Sequence, residues 1–256
     1  MHHDEADLRQ AEPEHDGFDE TVTVDRVIDV AVAQFARDGF HETKLENIAR
    51  ASGMSKRMIH YHFGDKKGLY HRALVAAIER IHPDEEAMEL DSSVPVEGVR
   101  KLVDALFDRF VGNPDAVCLL LMENVHHVLD TTELAPLTDE SSMTLHLDRL
   151  LMLGQDAGAF RPGISADDIF LLISSVAFYR TANRDLTVNL FGVDMMNEEN
   201  TAGMHRFVVD AVLAFLTSNI PDSGYRSYLT PNLAGDEPQS ALGIYDPDQT
   251  DIFGEN

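Results

Sequence analysis

Residues 43–66, TKLENIARASGMSKRMIHYHFGDK, decide how this chain is read. Thr43, with Glu46 three positions on, has the form of a capping box, in which side chain and backbone close a helix N-terminus reciprocally. Leu45, Ile48 and Ala49 then fall on one helical face. That helix is expected to end near Ala51, and Gly53 supplies the turn. Ser55 caps a second short helix running to about His62, and its outward positions carry Lys56, Arg57, His60 and Tyr61. A short helix, a glycine turn and a polar, cationic second helix are the layout of a helix-turn-helix, whose second helix fits the major groove of DNA. Ala49 is small where the helices cross, Gly53 lies in the turn, and Ile59 packs the second helix inward beside Ile48 and Phe63.

Charge supports this reading locally and opposes it elsewhere. The chain has 256 residues and a net charge of -25. Residues 1–20 carry 1 basic and 8 acidic groups, residues 21–80 carry 10 and 7, and residues 81–256 carry 9 and 30. A polyanion is repelled by most of this surface and accepted only over residues 21–80, so double-stranded DNA is expected to touch that segment alone. The acidic N-terminus has no apolar stretch, so it does not read as a signal peptide. No run approaches the length of a membrane span, so no membrane partner is expected. Cys118 is the only cysteine and lies in an apolar run, which suits a small buried hydrophobe. These features point to the cytoplasm.

Outward from the quoted stretch the pattern stays helical. Residues 1–20 read as a disordered acidic arm. Val27, Ile28, Ala31, Val32 and Phe35 recur at helical spacing, with Thr23 or Thr21 as the start and Asp38-Gly39 as the stop. A fourth helix runs from Lys66 to about Ile81 and ends before Pro83. An acidic linker follows over 83–94. Beyond it, helices are expected over the stripe Val99–Phe110, from Pro114 to about Leu129, from Thr138 to Gln155, from Ser165 through about Phe191, and from Asn197 to Thr217. The fold is therefore all-α, with about nine helices. Residues 21–82 form a three-helix DNA-binding unit with a linking helix, residues 95–220 a larger helical regulatory and dimerisation domain, and residues 221–256 an acidic tail. Tyr225, Tyr228, Ile244 and Tyr245 are candidates for docking part of that tail.

The residues Phe35, Gly39-Phe40, Thr43, Ile48-Ala49, Gly53-Met54-Ser55, Tyr61-His62-Phe63 and Lys66 together resemble the N-terminal signature of TetR-family transcriptional regulators. The resemblance covers residues 24–80. Residues 95–220 match that family in size, helicity and placement, and Leu190-Phe191-Gly192 before the last helix resembles many members. The resemblance implies a homodimer that reads a palindromic operator through two N-terminal domains. It implies further that a small-molecule effector in the C-terminal domain releases the DNA, as in a ligand-released repressor.

On this reading Thr43 caps the second helix and meets a phosphate, with Lys44 beside it, and Ser55 does similar work at the third. Lys56 and Arg57 sit at the end that enters the groove, and Arg57 has the reach and geometry for guanine O6 and N7. In the family, residues matching Tyr61, His62 and Lys66 meet backbone phosphates. Two positions depart from the common pattern: Met58 stands where Thr is frequent and His60 where Tyr is frequent. Met58 donates no hydrogen bond but suits a thymine methyl, whereas His60 keeps an aromatic shape and a donor.

In the C-terminal part, Phe107, Met122, His126, His146 and Phe178 are the candidate lining of an effector pocket. The histidines and carboxylates match no tight ligand spacing, so neither a metal nor a cofactor is expected. No nucleophile elbow, phosphate loop, dinucleotide loop or Cys–His pair is present, which argues against an enzyme. A transcriptional activator and a helical protein that binds no DNA remain as alternative readings. The dimer is expected to form through the last two long helices, with Ala211, Val212, Ala214 and Phe215 as its apolar stripe.

Overall fold

The first helix, α1 (Val24–Glu42), starts where Thr23 Oγ1 accepts the Arg26 N–H at 3.3 Å, and it kinks at Gly39, whose φ of 74° is closed to most side chains. The computed structural model describes residues 23–83, 94–129, 142–222 and 224–229. The acidic arm, most of the linker and the tail beyond 229, with Ile244 and Tyr245, lie outside the described residues. After α1 come α2 (Leu45–Ser52), α3 (Lys56–Phe63) and α4 (Lys66–Ile81). Gly53, at φ 83°, turns α2 into α3. The Ser52 hydroxyl accepts the Met54 N–H at 3.3 Å and so braces the same turn. Asp65 caps α4 by accepting the Gly68 N–H at 2.8 Å. Position 68 requires glycine for space, since a Cβ there would fall 2.1 Å from the Phe63 carbonyl oxygen.

The remaining helices are α5 (Pro95–Gly112), α6 (Pro114–His126), α7 (Ser142–Asp156), α8 (Ala166–Ala182), α9 (Arg184–Phe191) and α10 (Glu198–Thr217). All regular structure among the described residues is helical, as the sequence predicts. Pro95 and Pro114 stand in the first turns of α5 and α6, where a missing N–H costs nothing. The Ser165–Asp168 capping box forms as expected: Ser165 Oγ accepts the Asp168 N–H, and Asp168 accepts the Ser165 N–H. The long helix predicted over 165–191 is broken in two, because Asn183 leaves helical geometry at ψ 16° and its carbonyl starts a new ladder at Thr187. The helix predicted to reach Leu129 ends earlier, at His126, where His127 takes a left-handed conformation. The predicted start of α7 at Thr138 lies outside the described residues.

Two apolar cores hold these helices. One joins Val27, Val32 and Phe35 of α1, Ile48 of α2, Ile59 of α3, Leu69 and Ala73 of α4, and Ala116, Val117 and Leu119 of α6. The other joins Val99, Leu102 and Leu106 of α5, Leu147 and Leu150 of α7, Ile169 and Ile173 of α8, and Val208, Val212 and Leu216 of α10. The first core therefore does not close at the end of α4, and α6 is part of it.

Residues 224–229 turn back onto this body. Asp168, only 6% exposed, accepts the Ser227 hydroxyl at 3.0 Å and the Tyr228 N–H at 3.1 Å. Arg161 lies 4.6 Å from the Phe215 ring and donates to the Tyr228 hydroxyl at 2.9 Å. Tyr228 is thus docked as expected. Among the described residues no helix is long and apolar enough to cross a membrane.

Candidate nucleic-acid interface

On α3 the apolar positions face inward and the polar ones outward. Ile59 and Phe63 are buried, while Lys56, Arg57, Met58, His60, Tyr61 and His62 are exposed, Tyr61 at 78%. Ser55 Oγ accepts the Met58 N–H at 3.3 Å, so its cap is formed. Lys56 Nζ reaches across to the Glu46 carboxylate on α2. This contact spans the start of α3 and the start of α2, where Lys44 is exposed and no side chain caps the helix. Lys56 holds the Glu46 carboxyl below the usual range through that hydrogen bond. From Lys44 to Lys67 there are 6 Lys and Arg against 2 acidic residues, so this end of the molecule is a cationic face on an acidic protein. Exposed cations around an outward-facing helix form a surface that can accept a phosphate backbone and reach base edges.

Three of the expected contact residues, Thr43, Lys66 and His60, make hydrogen bonds within the chain, and one expected cap is absent. The Thr43–Glu46 capping box does not form: Lys44 is the N-cap of α2, and Glu46 is engaged with Lys56. Thr43, 2% exposed, donates its hydroxyl back to the Gly39 carbonyl at 2.7 Å and so closes the kinked end of α1. The capping pattern is present in the sequence, but the carbonyl freed by the kink at Gly39 captures the hydroxyl first. Lys66 donates to the His41 carbonyl at 3.1 Å with its ammonium 4.7 Å from the Phe40 ring centroid, and burial lowers its pKa. It joins α4 to the end of α1 before it meets any ligand. His60 sets Nδ1 2.8 Å from the Gly64 carbonyl oxygen and so closes the C-terminus of α3. Lys44, Lys56, Arg57, Met58, Tyr61 and His62 remain turned outward.

The candidate pocket residues are not brought to one place. Phe107 is in the second core with its ring 5.2 Å from His205, whereas Phe178 packs against the first core with its ring 5.8 Å from Phe110. Met122 faces α1, its Cε 3.5 Å from where a Cβ on Gly39 would lie. His126 is exposed at the end of α6. His146 is buried and its Nε2 has no hydrogen-bond partner among the described residues. An apolar cleft of about 590 Å³ lies instead between α8 and α10 and is lined by Val176, Tyr179, Met195, Met204 and Phe207 among others. No group of three metal-ligating side chains is found among the described residues.

Sequence reasoning missed two structural features. Ser52 bracing the turn was signalled only by a hydroxyl residue next to the turn glycine. The Tyr70 hydroxyl donates to the Glu123 carboxylate at 2.9 Å and ties α4 to α6. Glu123 was visible as a charge in an apolar helix, but nothing in the spacing indicated its partner.

Residues 27–73 match the family model described as bacterial regulatory proteins, tetR family, and residues 95–212 match the model described as tetracyclin repressor-like, C-terminal domain. The HTH-type transcriptional repressor NicS of Pseudomonas putida is 28% identical over 194 residues, which cover 75% of this chain and 91% of that protein. The HTH-type transcriptional repressor SCO4008 of Streptomyces coelicolor is 26% identical over 164 residues, 62% of this chain and 78% of that protein. Among solved structures, the TetR family transcriptional regulator PfmR from Thermus thermophilus superposes with a TM-score of 0.53 at 22% identity, covering 74% of this chain and 96% of that one.

Proposed function

Because the chain belongs to the tetR family, and is therefore a DNA-binding transcriptional regulator rather than an enzyme, we propose that it represses its target genes and is released from DNA by a small molecule. The observation that carries this reading is the exposed, cationic α3 on an otherwise acidic protein, held on a core that also contains α6. A ligand that shifts α6 has a packed route to α1 and α4, and differential binding to two such arrangements is what release requires. The two matched relatives named as repressors support the sign of the regulation.

A homodimer fits the same reading. Tyr179 of α8 and Phe207 of α10 are large apolar side chains, 49% and 61% exposed, on a face that one chain leaves uncovered. Two-fold pairing there would present two copies of α3 to a palindromic operator. The effector belongs to the regulatory helices, no cofactor or metal is part of the mechanism, and the site of action is the cytoplasm. The test is fluorescence anisotropy of the full chain on DNA from upstream of its own gene and on random DNA of equal length. Retention of the upstream fragment at concentrations where the random fragment stays unbound is expected. Equal failure on both would reject sequence-specific binding.

A further inference from the structure

We propose that the cationic face of α2 and α3 is a docking site for the chain's own acidic arm, residues 1–22, which thereby competes with DNA; this rests on that face being the DNA reader. Residues 1–20 carry 8 acidic groups and 1 basic one, and the stretch Lys44 to Lys67 carries 6 basic and 2 acidic ones. The rest of the chain repels the arm, since residues 81–256 hold 30 acidic groups against 9 basic. The reader is thus the one segment whose charge attracts it. A carboxylate is already accepted there, as Lys56 takes up Glu46.

Reach is sufficient. The arm joins α1 at Thr23, and α1 has 19 residues, a rise of about 28 Å. An extended chain of the arm's length spans up to about 70 Å. Tethering supplies the concentration: a short linked segment acts at an effective concentration on the order of millimolar. The few screened surface ion pairs available, each worth little, then suffice for partial occupancy. DNA, with many more phosphates, displaces the arm at a several-fold loss of apparent affinity. Because the docked arm must leave before any DNA binds, it lowers the apparent affinity for random DNA and for the operator by the same factor.

The experiment compares the full chain with a full-length variant in which every Asp and Glu of residues 1–20 is changed to Asn or Gln. DNA affinity is measured by anisotropy across a salt series. In parallel, the acetylation rates of Lys44 and Lys56 are read by mass spectrometry without DNA, with Lys101 on α5 as the internal reference. Docking predicts affinity about three- to tenfold tighter for the variant at low salt, converging as salt screens the arm. It also predicts faster acetylation of Lys44 and Lys56 and an unchanged Lys101. Tighter binding with unchanged lysine reactivity would mean that the arm repels DNA from a distance, and would overturn docking. No change in either readout would overturn it as well. If neither protein bound any DNA, the reader assignment itself would fall, while the acetylation rates would still decide whether the arm docks.

Discussion

The Tyr70 hydroxyl on α4 donates a 2.9 Å hydrogen bond to the carboxylate of Glu123 on α6, and both residues are buried. The second Glu123 oxygen accepts the Leu129 N–H at 2.9 Å. The Tyr70 ring meets Phe35 and Phe40 edge-on, at 4.9 Å and 5.0 Å between centroids. One side chain therefore touches the end of α1, the helix behind the reader and a buried charge in α6. Burial, and then the Glu123 carboxylate, push the phenol well above its ordinary range, so the hydroxyl keeps its proton and stays a donor throughout the physiological range.

Removing that donor should be felt in stability and in DNA binding together. Tyr70→Phe leaves a buried carboxylate oxygen without its partner, at a cost of about 1–3 kcal/mol in urea unfolding. Glu123→Gln keeps an acceptor and should cost less. Because the two form one network, the double variant should fall short of the summed single effects by more than about 0.5 kcal/mol. Strict additivity would mean that the bond does not couple α4 to α6.

At the reader, Lys44→Ala and Tyr61→Phe should weaken specific and random DNA alike, since phosphate contacts carry no sequence information. Arg57→Ala should instead relax sequence choice at one base pair, by about 1–3 kcal/mol. Lys66→Ala is a poor probe of DNA contact, because Lys66 holds the His41 carbonyl and the Phe40 ring. A randomised-site selection with Arg57→Ala that returned the unaltered motif would reduce Arg57 to a backbone contact.

The helices were legible because caps, glycines and apolar spacing are local signals. Ser55, Gly53 and the Ser165–Asp168 box mark the ends that the structure shows. What stayed hidden depends on competition or on distance. Thr43 has two possible bonds, and the choice is made by the kink at Gly39, which the capping pattern does not encode. The break at Asn183 is a change of backbone geometry at one residue, and the bonds nearby that Arg180 makes, to the Met195 carbonyl and the Thr201 hydroxyl, are to residues 15 and 21 positions away. Bonds that far along the chain leave no periodic trace. The pocket candidates failed to converge for the same reason: polar residues in apolar helices can be recognised, but the faces they share cannot.

His146 gives a prediction in pH. Its ring is buried, its Nε2 has no partner among the described residues, and burial, aided by Arg149, lowers its pKa. A histidine with a depressed folded pKa takes up its proton more readily in the unfolded chain, so folding stability is full above about pH 6.5 and is lost as the pH falls toward the folded value. His146→Leu removes both the titration and the unpaired nitrogen. It should raise stability at neutral pH by about 1 kcal/mol and flatten the decline between about pH 7 and pH 5. Chemical denaturation across that range checks this, and a variant with an unchanged slope would show that His146 does not contribute to it.

Of the expected dimer stripe, Ala214 is exposed, whereas Val212 and Phe215 face their own chain. Val212, predicted to lie in the subunit interface, is 0% exposed and packs in the second core of its own chain. Phe215 is likewise engaged within the chain, against Arg161 and Tyr228. Val212→Glu would therefore bury a charge and unfold the protein, and its failure to dimerise would say nothing about the interface. Tyr179 and Phe207 are large apolar side chains turned outward on the two helices. Phe207→Glu places a charge on the uncovered face without touching either core. It should leave the helical circular dichroism intact and convert the protein from a dimer to a monomer of 28.5 kDa by light scattering. DNA affinity should fall with it, because one three-helix reader then meets one half-site. A folded Phe207→Glu protein that remained a dimer would remove the α8–α10 face from the interface.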